Sequence, residues 1–196
     1  THLHNGHTPS ESDGFPCFFN PSGKFYDYHY PNVLAGINST HPGTGDIRES
    51  MHSLWYHDHR IDYTAQNVYK GLAGMYNLFH PEDSAYDTGN ENTGFRLPSF
   101  PDYDINMVFN DAVYDAETDQ LAFDLFNLDG ILGDKMLVNG KVQPVLHVSP
   151  RRYRFRRDRD RHARRADGAC GAALDGPSGG AARSRSGPEP PSAPTR

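Results

Sequence analysis

Cysteine is scarce in this sequence, which contains only Cys17 and Cys170 among 196 residues. Two cysteines so far apart form no spaced ligand pattern and no disulfide framework, so the redox compartment stays open. A Ser/His/Asp arrangement, a phosphate loop and a nucleotide-binding fingerprint are also missing from the sequence. These absences argue against thiolate metal sites and against the common hydrolytic and nucleotide-dependent chemistries.

Long apolar runs are missing too, and basic residues are rare over most of the chain. No segment approaches the roughly 20 apolar residues that a membrane helix needs, so we expect no membrane partner. Residues 1–150 contain 7 Lys+Arg against 20 Asp+Glu, whereas residues 151–196 contain 12 against 5. The acidic part is rich in aromatic residues and could build a core, and it gives no reason to expect nucleic acid as a partner.

Histidine, by contrast, forms two short motifs. His2-Leu3-His4 stands at the start of the chain, and His57-Asp58-His59 follows Trp55-Tyr56. Residues i and i+2 of an extended strand point to the same side, so each motif presents two imidazoles and two neighbouring strands would present four. Neutral imidazole suits copper, zinc, iron and nickel. Four histidines without a thiolate or an obvious carboxylate partner indicate half of a histidine-rich copper centre.

Short strands are expected over most of residues 1–156. Alternating or apolar segments predict strands at residues 104–110, 121–125, 135–139 and 144–148, and Asn139-Gly140 predicts a hairpin turn between the last two. Residues 62–70 predict one short helix with Asp62 as its N-cap. Strands at this spacing favour an all-β sandwich or barrel.

The composition changes at Arg156. Residues 157–196 contain 8 Arg, 8 Ala, 6 Gly and 5 Pro, with Leu174 as the only large aliphatic residue and no aromatic one. Such a segment cannot bury enough apolar area to offset its ordering entropy, so we expect a disordered tail. It is either a basic binding arm or an out-of-frame translation of GC-rich DNA. The abrupt switch favours the second explanation, and we assign the tail no function.

Several segments together carry a family resemblance: residues 2–14, 54–60, 67–74, and 138–141 through 150–156. They look like a bacterial multicopper oxidase of the laccase, bilirubin-oxidase and spore-coat-oxidase branch, and the resemblance ends at Arg156. It implies that residues 1–156 form a cupredoxin-like (plastocyanin-like) Greek-key β-sandwich, incomplete and truncated before Thr1, with any targeting segment lost. It also implies an extracytoplasmic or spore-coat location.

The resemblance assigns metal ligands. In that family four copper ions are held by four histidine motifs, two in the first domain and two in the last. By similarity His2 would bind the type 2 copper, and His4, His57 and His59 would bind the type 3 pair. We expect the two histidine pairs to lie on neighbouring strands at an exposed sheet edge, where a partner domain can supply the remaining ligands.

Two further residues receive roles from the resemblance. Asp13 matches an acidic residue that assists proton delivery near the copper cluster, although it could instead only cap a turn before Gly14. Asp58 should point away from the metals and hold its segment in place.

The family's other two motifs, which resemble His-Pro-x-His-x-His and His-Cys-His, are absent. A type 1 copper site needs a Cys thiolate with two His, and Cys17 has no such neighbours, so it is interpreted as a small packed residue. The chain would therefore supply half of a trinuclear site that reduces O₂ to water. The intact enzyme, with its C-terminal cupredoxin domains, would oxidise a small phenolic, bilirubin-like or metal-ion substrate. The fragment alone should be inactive.

Three alternatives stay open at this point. The histidines could be a frayed N-terminus and hydrogen-bonded loop residues. The chain could be a mononuclear cupin-like enzyme, which would need a carboxylate ligand in register with the first pair, or a non-catalytic frameshifted fragment. Sequencing the DNA across Arg156 would separate these, because another frame that reaches a His-Cys-His motif would restore the enzyme. Of the other histidines, His41 and His80 precede prolines at turns and are expected at the surface, and His29 is expected in the core.

Overall fold

Strands dominate the part of the chain that the computed structural model describes, which is residues 1–32, 52–127 and 130–159. The strands are β1 (His2–His4), β2 (Ser53–His57), β3 (Ala73–Asn77), β4 (Asp104–Ala112), β5 (Lys135–Val138), β6 (Lys141–Val142) and β7 (Arg154–Arg159). One α-helix, α1 (Thr64–Tyr69), and a 3-10 turn at Ser10–Ser12 complete the regular structure of these ranges. The prediction of an all-β domain is confirmed. None of the helices in the described ranges has the length and apolar character needed to cross a membrane.

Two sheets contain all seven strands. The first has the order β1-β2-β3 and is antiparallel throughout, with β1 at its edge. The second has the order β6-β5-β4-β7, in which β4 and β7 are parallel and the other pairs are antiparallel. The register of the first sheet pairs His2 with His57 and His4 with Trp55. This register brings the two histidine motifs side by side.

The core of the first sheet explains which way the histidines face. Leu3, Leu54 and Leu78 form a buried cluster, against which Tyr30 and Tyr76 pack. Successive side chains of a strand point to opposite faces, so burial of Leu3 directs both flanking histidines of β1 to the other face. Truncating one of these leucines to alanine costs about 2–5 kcal/mol in typical cores, so the cluster strongly fixes this orientation.

The turn predicted at Asn139-Gly140 is present, but it joins β5 to the two-residue β6 rather than to a strand at residues 144–148. Asn139 and Gly140 have φ values of 50° and 77° and join β5 to β6. Two successive residues with positive φ are the signature of a type I′ turn, whose twist matches that of the flanking strands. The side chain of Asn139 also accepts a hydrogen bond from the Val108 N–H of β4 at 2.8 Å, so the turn is attached to the neighbouring strand.

Two strand predictions were wrong. Residues 144–148 form no strand, and Val145, Leu146 and Val148 are exposed. Residues 121–125 contribute only an isolated bridge between Leu121 and Tyr114. An alternating pattern gives a segment one apolar face, but a strand also needs a neighbour for its backbone N–H and C=O groups. These segments have none beyond that bridge among the described residues.

The boundaries of two other elements also differ from the prediction. The helix begins at Thr64 after Tyr63, and Asp62 is not its N-cap because it has a left-handed φ of 64°. β7 reaches Arg159, three residues into the predicted tail, because parallel pairing with β4 supplies backbone partners whatever the side chains are. The rest of that tail, residues 160–196, lies outside the described residues.

Candidate metal centre

The four predicted histidines converge on one face of the first sheet. His57 lies opposite His2 across β1 and β2, and His59 follows two residues after the end of β2. The ring of His2 has its centroid 5.5 Å from His4, 5.4 Å from His57 and 4.9 Å from His59. His57 lies 5.5 Å from His4 and 5.7 Å from His59. The arrangement expected from same-side projection is therefore present, with β1 at the sheet edge.

Backbone carbonyls orient three of the four rings. The Nδ1 contacts are His2 to Asp13 O (2.6 Å), His57 to Asp58 O (2.7 Å) and His59 to Gly14 O (2.9 Å). A carbonyl oxygen only accepts hydrogen bonds, so each Nδ1 carries the hydrogen and donates. In the neutral ring this leaves the Nε2 lone pair available to a metal, which is the usual way a second partner fixes the tautomer of a histidine ligand.

His4 presents its other nitrogen to the group. Its Nδ1 lies 3.3 Å from Nε2 of His57. One ligand nitrogen from each of His2, His4 and His57 lies within 4.8 Å of the others. Two imidazole nitrogens that share one ion, each about 2 Å from it, are at most about 4 Å apart. The 3.3 Å separation fits a shared ion, and His59, stacked on His2, adds a fourth ring beside this group.

The electrostatics keep His57 neutral. This side chain is 7% exposed, and burial is the largest cause that lowers its pKa below the usual value of 6.5. The neighbouring imidazoles of His2, His4 and His59 lower that pKa further, against an opposing contribution from the hydrogen bond to the Asp58 carbonyl. A metal competes with protons for imidazole lone pairs, so a lowered pKa favours metal binding. Neutral converging nitrogen donors fit copper.

Asp13 lies beside the histidines. Its carboxylate Oδ1 is 3.5 Å from Nδ1 of His2 and accepts a hydrogen bond from the Thr8 hydroxyl at 2.8 Å. Asp13 also ends the 3-10 turn, with its N–H directed to Ser10 O. The contact with His2 is compatible with proton delivery, and the N–H bond to Ser10 is compatible with a role in the turn. The role in proton delivery stays a prediction. The Asp13 side chain is 52% exposed, so it can exchange protons with solvent.

Asp58 holds the segment between its two histidines. Its Oδ1 accepts from the Arg60 N–H at 3.0 Å, and its own N–H donates to Leu72 O at 3.0 Å. These bonds join the end of β2 to the loop that enters β3. Asp58 is thus a backbone-fixing residue rather than a ligand of the three-histidine group, as the sequence predicted.

A cavity of about 1080 Å³ opens in front of the four imidazoles. Trp55 and Met75 line it on the first sheet, and Asn106 and Val108 of β4 line it on the second. Trp55 contacts two of the rings, with centroids 5.0 Å from His4 and 4.3 Å from His57. The sequence marked Trp55 only as a neighbour of the second motif and gave it no role.

Three single-residue predictions outside this group were wrong. Cys17 is exposed rather than packed, because it lies in a turn at the surface with the exposed Phe18 and Phe19. His29 is exposed rather than in the core. His80 is 7% exposed, although the Pro after it suggested a surface position, because its ring packs against His52 and Tyr86. His41 lies outside the described residues.

Proteins named bilirubin oxidase, laccase and multicopper oxidase are similar to this sequence. It is 34% identical over 156 residues to bilirubin oxidase of Albifimbria verrucaria, covering 79% of this chain and 23% of that protein. It is 33% identical over 174 residues to laccase of Bacillus subtilis (strain 168), covering 79% and 29%. A third relative is multicopper oxidase LPR1 homolog 1 of Oryza sativa subsp. japonica, 30% identical over 175 residues, covering 79% and 25%. No protein-family model matches the sequence. The chain spans between a fifth and a third of the length of these relatives.

Proposed function

The chain belongs to the multicopper oxidase family, and we propose that its all-β, cupredoxin-like domain supplies half of the ligands of a trinuclear copper site. In this proposal His2 binds the type 2 copper, and His4, His57 and His59 bind the type 3 pair. The intact protein reduces O₂ to water with electrons from a small phenolic, bilirubin-like or metal-ion substrate. The missing ligands come from C-terminal cupredoxin domains, in keeping with relatives of which the chain covers 23% and 29%.

One observation carries the proposal. Four imidazoles from β1, β2 and the segment directly after β2 meet at a sheet edge, and His4 Nδ1 and His57 Nε2 are 3.3 Å apart. Chance surface histidines would not also have three Nδ1 atoms bonded to backbone carbonyls. That second feature supports a ligand role because it puts the hydrogen on Nδ1 and leaves the Nε2 lone pair of each ring to serve as the metal ligand.

The chain's own residues have distinct tasks in this site. The carbonyls of Asp13, Asp58 and Gly14 hold three imidazoles in one tautomer, so the ligand atoms are oriented before any ion arrives. The Asp13 carboxylate, exposed to solvent and 3.5 Å from Nδ1 of His2, would relay protons from water toward the cavity. Bound copper would supply one-electron transfer and an acceptor for O₂. No thiolate accompanies two histidines among the described residues, so these residues provide no electron-entry site.

Cu(II) titration of the full chain against a competing chelator, followed by EPR, tests the proposal. The wild-type chain should bind Cu(II) with nitrogen couplings from imidazole and without an intense blue absorption band. His57→Ala should weaken binding at least about tenfold. His7→Ala, at an exposed histidine, is the matched control and should leave the affinity unchanged. Equal affinities for the two variants, or no binding by the wild-type chain, would reject the site.

A further inference from the structure

Trp55 is the single tryptophan of the chain and lies between the two histidine motifs. It is two residues before His57 on β2, so both side chains point to the same face. Its Cα partner on β1 is His4, and its Cα partner on β3 is Met75. Trp55 therefore lies on the middle strand of the sheet that carries the candidate metal centre, with a neighbouring strand on each side.

The indole ring of Trp55 is in tilted contact with two of the imidazoles. The indole and His57 have centroids 4.3 Å apart with an interplanar angle of 32°, and the indole and His4 have centroids 5.0 Å apart with an angle of 30°. The same two imidazoles present nitrogens to each other at 3.3 Å. Trp55 thus touches both members of this nitrogen pair.

We propose that Trp55 is a positioning residue that fixes the ring planes of His4 and His57 for metal binding. Tryptophan suits this task because it is large and rigid, with only two side-chain torsions. Backbone carbonyls hold the rings of His2, His57 and His59 through Nδ1. His4 directs its Nδ1 at His57, and the indole adds a ring contact to both of these imidazoles.

The inference rests on the proposed copper site, so its test includes a measurement on the metal-free chain. Trp55→Leu and Trp55→Met remove the ring but keep an apolar side chain, and Trp55→Phe keeps a ring. Tyr56→Leu is the matched control, because Tyr56 is the next residue of β2, is 41% exposed and points to the other face. Circular dichroism and thermal unfolding identify variants that fold.

Two readouts separate a positioning role from general packing. In the metal-free chain, NMR coupling constants should show one χ1 rotamer for His4 in the wild type, Trp55→Phe and Tyr56→Leu, and rotamer averaging in Trp55→Leu and Trp55→Met. Cu(II) affinity should fall at least about tenfold in Trp55→Leu and Trp55→Met. It should change less than about threefold in Trp55→Phe and Tyr56→Leu. Adding Cu(II) to the wild-type chain should also quench the tryptophan emission.

The outcomes are distinguishable. A single His4 rotamer and unchanged Cu(II) affinity in Trp55→Leu or Trp55→Met would overturn the role of Trp55 while leaving the copper site intact. A wild-type chain that binds no Cu(II) would overturn the proposed function. The rotamer comparison would then still decide whether Trp55 fixes His4.

Discussion

Arg156 on β7 binds Asp104 on β4 through a buried bidentate ion pair. Its Nε lies 2.9 Å from both carboxylate oxygens and its Nη2 lies 2.7 Å from Oδ2. Asp104 is 0% exposed and Arg156 is 4% exposed. The guanidinium Nη1 also donates to the Ser53 hydroxyl at 2.7 Å. Arg156 therefore connects the second sheet to the first residue of β2, the strand that carries His57.

Neutralising Asp104 should strongly destabilise the domain. Asp104→Asn leaves the Arg156 charge buried with weaker compensation, and breaking a buried ion pair costs roughly 3–5 kcal/mol. We expect a fall of about 3 kcal/mol in the free energy of unfolding, because Asp87 still contacts Arg156. Urea denaturation measures it. Asp134→Asn is the control, since Asp134 pairs with Lys135 at the exposed surface and should leave the midpoint unchanged. Similar denaturation midpoints for the two variants would contradict a stabilising role of the Arg156–Asp104 ion pair.

The buried His80 should make the fold sensitive to mild acid. Burial is the first cause that lowers the pKa of His80 below its usual value of 6.5, and His52 lowers it further, while Asp87 opposes them. Below about pH 6.5, His80 therefore binds a proton more readily in the unfolded chain than in the folded chain. The free energy of unfolding falls as the pH drops through this range. Burial alone would raise the pKa of Asp87, but the hydrogen bond from Arg154 brings it below its usual value. Asp87 therefore titrates outside this window.

His80→Gln should reduce that pH dependence. The difference in unfolding free energy between about pH 7.5 and about pH 5.5 should be smaller in this variant than in the wild type, because the titrating group is gone. Urea denaturation at both pH values gives the difference. His147→Gln, at an exposed histidine, should keep the wild-type difference. A His80→Gln chain with an unchanged difference would show that other groups cause the acid sensitivity.

Local rules in the sequence predicted the features that depend on local geometry. The period of two along a strand predicted that the histidines of each motif share a face, and Asn139-Gly140 predicted its turn. The pairing of β1 with β2 followed once both motifs were assigned to one site, and the register of His2 with His57 agrees with it.

The remaining features depend on contacts between distant segments. The partners of Arg156 lie 52 residues or more away in the chain, and no local pattern marks Asp104 as buried. His80 is covered by His52 and Tyr86, which its own neighbours in sequence do not reveal. The contact of Trp55 with His4 depends on strand register, so it was visible only in the folded chain.

The tautomers of three histidines provide a direct check of the site. His2, His57 and His59 should carry their hydrogen on Nδ1 in the metal-free chain, because each donates to a backbone carbonyl. Long-range ¹H–¹⁵N NMR spectra at about pH 8, where imidazole is neutral, report the tautomer. The exposed His7 is an internal comparison and should show no such enforced preference. A hydrogen on Nε2 in these three rings would contradict the orientation that metal binding requires.

Gly14 and Gly23 offer a matched pair for testing how the turn supports the metal centre. Both have left-handed φ values, 80° and 79°. A Cβ on Gly23 would meet nothing within 4 Å, whereas a Cβ on Gly14 would overlap the Thr1 carbonyl and lie 3.0 Å from Cα of His2. Gly23→Ala should therefore cost only the backbone penalty of about 1 kcal/mol, and Gly14→Ala should cost at least about 2 kcal/mol.

Copper binding should separate these two variants further. The Gly14 carbonyl accepts the hydrogen bond from His59 Nδ1 at 2.9 Å, so a displaced turn removes the partner that orients this ring. Gly14→Ala should weaken Cu(II) binding in the chelator competition, and Gly23→Ala should leave it unchanged. Urea denaturation measures the stability cost of each variant separately. If Gly14→Ala lost stability but kept full Cu(II) affinity, the Gly14 carbonyl would support the fold of the turn without orienting His59 for the metal.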